Sequence, residues 1–509
     1  MTVNLEPASA PLSEEDVLTC VRVLRTLDTD RSHLTRLSQA QRRELLTLAG
    51  QVAKPEKHSL IQQAKAFRRA DRAAAKERDR AVLEQSALRV QRRSEVYRPL
   101  WLERPAPDAQ SDRPVLNQER TCYVCKETFT KVHRYYDSMC EACGEFNYAK
   151  REQTADLTGH YALITGARVK IGYQASLKLL RAGAYVIATT RFPVDAADRY
   201  SQESDFASFR DRLEVYGLDL RHTPSVELFA RFLTDRLPRL DHIVNNACQT
   251  VRRPAGFFQH LLAREATSFD SLPDSLRIPL QGREVMRRAL SAPSAQGALI
   301  SAQRATPEGL IDSAALSQRR YLDEDFYGGE TLFPTERYDE DRQQVDLREI
   351  NSWRLRLHEV ETPELMEVHL VNALAPYILN ARLKPLMLRT PGAHKHIVNV
   401  SAVEGQFYRT FKTEKHPHTN MAKAALNMMT RTSAPDYKKD GIHMNSVDTG
   451  WVTDEDPAIH AARKAEEGFS PPLDIIDGAA RIIDPIFVGQ LTGAHVWGQF
   501  LKDYKPAPW

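Results

Sequence analysis

The chain predicts an α/β fold: a doubly wound parallel sheet, preceded by a helical N-terminal region and a small four-cysteine module. Three observations carry that reading. Tyr161 to Tyr173 reads YALITGARVKIGY, a short apolar strand, a glycine turn and the start of a helical pattern. In this geometry free backbone N–H groups at a helix start can hold a pyrophosphate. Downstream, apolar runs (AYVIATTRF, LEVYGLDL, DHIVNNACQ) alternate with helical segments in the order such a sheet requires. Upstream, Cys122, Cys125, Cys140 and Cys143 form two CxxC pairs with fourteen residues between them.

Composition sets the outer limits. At 509 residues the chain holds two or three domains, and 42% apolar with 27% charged residues is an ordinary soluble balance. A formal net charge of +3 is too small to call for a polyanionic partner. No apolar run approaches the ~20 residues that span a bilayer, so no membrane association is expected. The N-terminus, MTVNLEPASAPLSEEDV, lacks the basic start and apolar core of a secretory signal. A cytoplasmic protein is therefore expected.

Residues 1–118 read as a helical region with a long basic helix and a linker. Ser13-Glu14-Glu15-Asp16 can cap a first helix, and Gln39 to Val52 suits a second. His58 to Arg93 lacks Gly and Pro and predicts one long basic helix, followed by a linker at ERPAPDAQSDRP. Asp71, Glu77, Asp79 and Glu84 interrupt the basic residues, so a solvated helix is favoured over a nucleic-acid arm. Residues 119–150 form the cysteine module. Two residues between thiolates let one tight turn present both sulfurs to a single ion, and two such turns complete the tetrahedral shell of a structural zinc. His133 lies between the pairs and could replace a ligand, although a surface role is favoured.

Residues 151–509 form the sheet domain, with an insertion at about 250–364. The second strand ends at Thr189, Thr190 and Arg191, where an acid would bind a ribose 2′-hydroxyl. A guanidinium there suits a 2′-phosphate, which favours NADP over NAD. The third strand leads to Asp219-Leu220 and the fourth to Asn245-Asn246-Ala247. The insertion, with its acidic aromatic run RYLDEDFYGGETLFPTERYDEDRQ, reads as a substrate lid or a subunit contact.

From about Leu157 onward the chain resembles the short-chain dehydrogenase/reductase family. The matching segments are TGARVKIG, the Asp219 turn, Asn245-Asn246-Ala247, VNALAPYILNARLKPLM, HIVNVSA, MAKAALNMMT and MNSVDTGWVT. The resemblance implies a Rossmann-type sheet with a nicotinamide cofactor over the strand ends. It places Thr165, Gly166, Arg168, Lys170, Ile171 and Gly172 at the dinucleotide turn, and Asp219 with Leu220 at the adenine. Asn245, Asn246 and Ala247 fall beside the cofactor ribose, and Gly450 with Thr453 beside its carboxamide or phosphate. Asn372 matches the asparagine that holds a proton-relay water. Lys423 matches the lysine that binds the nicotinamide ribose and lowers a tyrosine pKa. The family's pairing habit implies a homodimer or tetramer.

Departures cluster at the relay. Thr419 stands in the tyrosine's place, and Ser401-Ala402 puts alanine where the serine belongs. Lys170 replaces a turn glycine; it either gives a phosphate a point charge or points to solvent. A threonine hydroxyl cannot be brought near neutral pKa by one lysine, so the usual relay is broken. His418 is the best substitute acid, its ordinary pKa of about 6.5 suiting proton transfer, and Tyr408 is the other. The candidate catalytic set is Asn372, Ser401, His418, Thr419 and Lys423. Two functions follow: an NADP-dependent oxidoreductase acting on a carbonyl or alcohol with a non-standard relay, or a cofactor-binding pseudoenzyme that engages a protein partner.

Overall fold

The computed structural model describes residues 12–93, 115–291, 312–326, 329–339, 341–392, 394–408 and 412–509. The linker expected at residues 103–114 and most of the insertion's Ala/Ser-rich stretch lie outside these. The chain divides into two units, Met1–Glu77 and Arg78–Trp509.

In the first unit, α1 (Glu14–Thr29) and α2 (Gln39–Ala53) each open on a capping box, Ser13 with Asp16 and Ser38 with Gln41. In each, the serine oxygen and the third-position side chain satisfy backbone N–H groups that would otherwise lack partners. The long basic helix is real but shorter than expected: α3 runs Lys57–Leu83. Beyond it the chain turns extended at Ser86, and the N–H groups of Ala87 and Leu88 go to the carbonyls of Arg134 and Tyr135.

The second unit takes in the end of α3 and then the cysteine module. A hairpin of β1 (Val115–Thr121) and β2 (Thr128–Lys131) leads to α4 (Glu141–Glu152). Its buried Tyr135, Tyr136 and Met139 share a core with Leu473, Ile475 and Ile476 of the sheet domain. Across that contact Tyr135 Oη donates to Asp474 at 2.7 Å, and Arg481 donates to Asn147 at 2.7 Å.

The sheet has eight strands in the order β5-β4-β3-β6-β7-β8-β9-β10. These are β3 (Tyr161–Thr165), β4 (Tyr185–Thr190), β5 (Leu213–Gly217), β6 (His242–Asn245), β7 (Lys395–Ser401), β8 (Ile442–Asp448), β9 (Phe500–Lys502) and β10 (Lys505–Ala507). All pairings are parallel except the β9–β10 hairpin. The strands are apolar because helices cover both faces. On one face α5 (Lys170–Arg181) packs with α10 (Ile475–Thr492); the other carries α6 (Thr223–Arg236) and α8 (Ala375–Met387). The insertion contributes core as well as loop. Its helix α7 (Asp274–Ser291) lies against β5, and Leu280 enters the core, so the open edge of the sheet is covered. The relay segment MAKAALNMMT lies on α9 (Pro417–Lys439). The order of strands reverses between β3 and β6, which opens a crevice at their C-terminal ends. Among the described residues no helix is long and apolar enough to cross a membrane.

Candidate dinucleotide cleft and relay position

That crevice is a cleft of about 360 Å³. Its floor is the turn between β3 and α5. Gly166 has φ +69°, and a Cβ there would lie 2.9 Å from the Cα of Ala247; one on Gly172 would lie 2.2 Å from the Gly166 carbonyl oxygen. Only glycine fits at either place. Lys170 sits at φ +55°, a left-handed conformation rare for a side-chain residue, so it keeps the backbone shape that a glycine would have supplied. Its ammonium faces Asp341 of the insertion at 3.9 Å.

The Asn-Asn-Ala turn braces this floor. Asn246 Nδ2 donates to the carbonyls of Thr165 and Gly166 at 3.0 and 3.2 Å, and the Ala247 N–H donates to Thr165 Oγ1 at 3.0 Å. Asn245 differs from the expectation. Its side chain turns into the interior, where Nδ2 donates to Asn380 and Asn399 at 2.8 Å each, and it does not line the cleft. Gly450, at φ +75°, also stays off the cleft wall, whereas Ile171, Leu220 and Thr453 line it. The Thr453 hydroxyl donates to Glu455 at 2.7 Å.

The cleft is lined by six cations, and five are matched. Arg168 bonds Asp195 at 2.8 Å, and Arg221 grips both Asp219 at 2.6 Å and Glu367 at 2.9 Å. Arg252 holds Asp325 at 2.6 Å, Arg253 pairs with Asp346, and Lys170 faces Asp341. Asp219 thus lines the cleft with its carboxylate held by Arg221. Arg191 stands apart: among the described residues its guanidinium meets no hydrogen-bond acceptor, and it lies 4.3 Å over the Phe258 ring. Burial, then the neighbouring Arg221, lowers its pKa to about 10, so it stays charged at neutral pH. Sequence reasoning missed Arg221, Arg252 and Arg253. The dibasic pair after Val251 and the arginine two residues past Asp219 were the available signals.

The relay position is arranged otherwise. None of Asn372, Ser401, His418, Thr419 and Lys423 lines the cleft. Asn372, in a π-helical turn (Leu370–Leu374), clamps the backbone of Gln249, accepting from its N–H at 2.7 Å and donating to its carbonyl at 3.1 Å. Lys423 is 4% exposed, and its ammonium donates to the Val400 carbonyl at 2.7 Å. Ser401 Oγ donates to Asn427 at 2.6 Å, inside the α9–sheet packing. Thr419 Oγ1 is buried with no partner among the described residues. The two substitutes fall apart from each other: His418 is buried 3.5 Å from Glu364, and Tyr408 is 66% exposed. The end of the insertion closes the region, with Trp353 stacked on His416 at 3.9 Å and the His416 N–H on the Leu355 carbonyl at 2.8 Å.

In the module, the four cysteine sulfurs lie within 4.8 Å of one another, and Cys125 to Cys140 is 3.7 Å. Zn–S bonds of about 2.3 Å give a tetrahedral edge of about 3.8 Å, so the cluster fits a metal ion. His133 is buried instead, its Nδ1 accepting from the Tyr135 N–H at 3.1 Å.

A family model described as short chain dehydrogenase matches residues 160–267, and one described as enoyl-(acyl carrier protein) reductase matches residues 351–470. The gap between them falls in the insertion. The chain is 31% identical over 394 residues to an uncharacterized protein of Acanthamoeba polyphaga mimivirus, covering 75% of this chain and 74% of that one. It is 29% identical over 90 residues to (+)-neomenthol dehydrogenase of Capsicum annuum, 17% of this chain and 28% of that one. Among solved structures, the Pseudomonas aeruginosa RhlG/NADP active-site complex matches at 17% identity and TM-score 0.41, over 68% of this chain and 95% of that one. The NADPH-bound carbonyl reductase from chicken fatty liver matches at 16% and 0.40, over 69% and 100%.

Proposed function

We propose that the chain, which resembles the short-chain dehydrogenase/reductase family over residues 160–267 and 351–470, binds NADP(H) in the cleft and holds it without that family's tyrosine-driven turnover. The observation that carries the first half is Arg191, the one cleft cation without an acceptor among the described residues, at the end of β4. A 2′-phosphate would supply the missing acceptor, and a pyrophosphate would meet the start of α5 beside Gly166 and Gly172, both on the cleft wall. When bound, the nicotinamide would supply hydride chemistry.

Proton delivery separates binding from turnover. Thr419 lacks an acidic hydroxyl, and Lys423 is committed to the Val400 carbonyl. Ala402 carries no hydroxyl to orient a carbonyl. One specific observation supports a second reading, an oxidoreductase with a replaced relay: His418 and Glu364 form a buried imidazole–carboxylate pair immediately before Thr419. In both readings the four cysteines hold a structural zinc, and the family's habit makes a homodimer or tetramer the expected assembly.

Nicotinamide fluorescence during titration with NADPH and NADH tests the first half. Preferential NADPH binding that disappears in Arg191→Ala supports it; equal affinity for the two cofactors overturns it. Consumption of NADPH against a panel of carbonyl substrates decides the second half. Turnover abolished by His418→Ala would replace the first reading with the second.

A further inference from the structure

A second group of ligand-type side chains lies at the opposite end of the strands from the cleft. His396 and His443 are each the second residue of their strand and are paired directly across β7 and β8. His495 reaches the same spot from the loop after α10, and ligand atoms of all three histidines lie within 4.8 Å of one another. We propose that His396, His443 and His495 form a second metal site, for Zn²⁺ or a neighbouring divalent transition cation, distinct from the cysteine cluster.

The geometry suits such an ion. His396 Nε2 and His495 Nδ1 face each other at 3.1 Å. Two nitrogens about 2.0–2.1 Å from a tetrahedral zinc lie about 3.3 Å apart. His443 Nδ1 is 3.2 Å from the Lys395 carbonyl. That contact places its proton there and its lone pair on Nε2, the arrangement that orients a metal-binding imidazole. The lone pair already attracts a cation, the Lys438 ammonium at 2.8 Å. His396 Nδ1 is buried with no hydrogen-bond partner among the described residues, so nothing fixes that ring's proton away from Nδ1, and Nε2 is available to a metal.

The backbone makes room for this convergence. Gly489 on α10 lies directly beneath it: a Cβ there would fall 2.4 Å from His495 Nδ1 and 2.8 Å from His396 Nε2. His394 precedes β7 on the same face as His396, and its ring lies 4.9 Å from that of His495. It is exposed at the mouth and can offer a fourth ligand. Because the site lies away from the cleft, its role is structural. It would tie the loop that delivers β9 to the two central strands, reinforcing bonds such as Gly498 N–H to the Met444 carbonyl at 2.8 Å.

The test uses the full chain with its cysteine cluster already saturated and free metal removed. Zn²⁺ alone is then titrated by calorimetry, and bound metal is counted before and after a thiol-specific mercurial. One additional equivalent that survives the mercurial is expected, with at least a tenfold loss of affinity in His495→Ala. Lys438→Met, which removes the competing ammonium without touching a ligand, should bind Zn²⁺ more tightly by about tenfold, equivalent to about 1.4 kcal/mol. No thiol-independent equivalent in the wild type overturns the proposal, as does unchanged affinity in His495→Ala. If that variant does not fold, Lys438→Met decides alone: tighter binding supports the site, and unchanged binding overturns it.

Discussion

The floor of the cleft and the relay region lie within one domain, yet they depart to different degrees from the pattern the chain resembles. At the floor, two glycines persist because any side chain would strike backbone within 3 Å, and the third position keeps a glycine's conformation while carrying lysine. At the relay position, Thr419 and Ala402 stand where the resemblance places reactive hydroxyls, and Lys423 donates to the Val400 carbonyl. A binding site made of backbone tolerates few substitutions but survives as a shape. Chemistry made of three side chains is lost as soon as one of them changes.

The largest expected effect comes from breaking the floor. Gly172→Ala forces a methyl against the Gly166 carbonyl, and overpacking of this kind costs about 1–3 kcal/mol. NADPH binding measured by fluorescence should fall more than roughly 100-fold while circular dichroism still reports the folded sheet. Next, Arg191→Ala should weaken NADPH by roughly 10- to 100-fold, the ordinary value of charge-assisted hydrogen bonds, and leave NADH nearly unchanged. Equal losses for both cofactors would mean that Arg191 shapes the wall rather than reading a phosphate.

Lys423→Met sharpens the contrast from the other side. It removes the donor to Val400 and should cost about 1–3 kcal/mol in urea unfolding, with NADPH affinity altered less than about threefold. A large affinity loss would show that the lysine reaches the cofactor, as the resemblance implies.

The smallest effect concerns the wall beside Arg168. Glu265 accepts from the N–H groups of Val194 and Asp195, but burial outweighs those bonds and raises its pKa to about 7. A carboxyl raised above its unfolded value of 4.5 favours the fold fully below that pH and progressively less as pH rises to about 7. Glu265→Gln should therefore match the wild-type melting temperature near pH 4.5 and exceed it by a few degrees at pH 8.

Much of this was legible in the residues. β3 to β6 follow the apolar runs, and the cysteine spacing gave a cluster with metal-binding separations. Arg191 was legible because position along a strand end decides what a side chain faces. Asn245 was not, because its partners Asn380 and Asn399 come from elements more than a hundred residues away. The helix α7 was hidden by Pro279 and by its charges, since its burial against β5 exists only once the sheet edge forms. The register of His396 with His443 was equally invisible, for strand pairing is a property of the assembled sheet.

One contact described above bears on how the chain matures. Asp474 and its neighbour Asp477, at the start of α10, are answered by Tyr135, Tyr136 and Arg151 of the cysteine module. Ile475, between them, lines the cleft. A newly made chain whose module is still unfolded leaves these two acids, which also cap their own helix, without the tyrosines and the arginine that answer them beside the cleft. The order of folding then matters: the module must close before this wall of the cleft is finished.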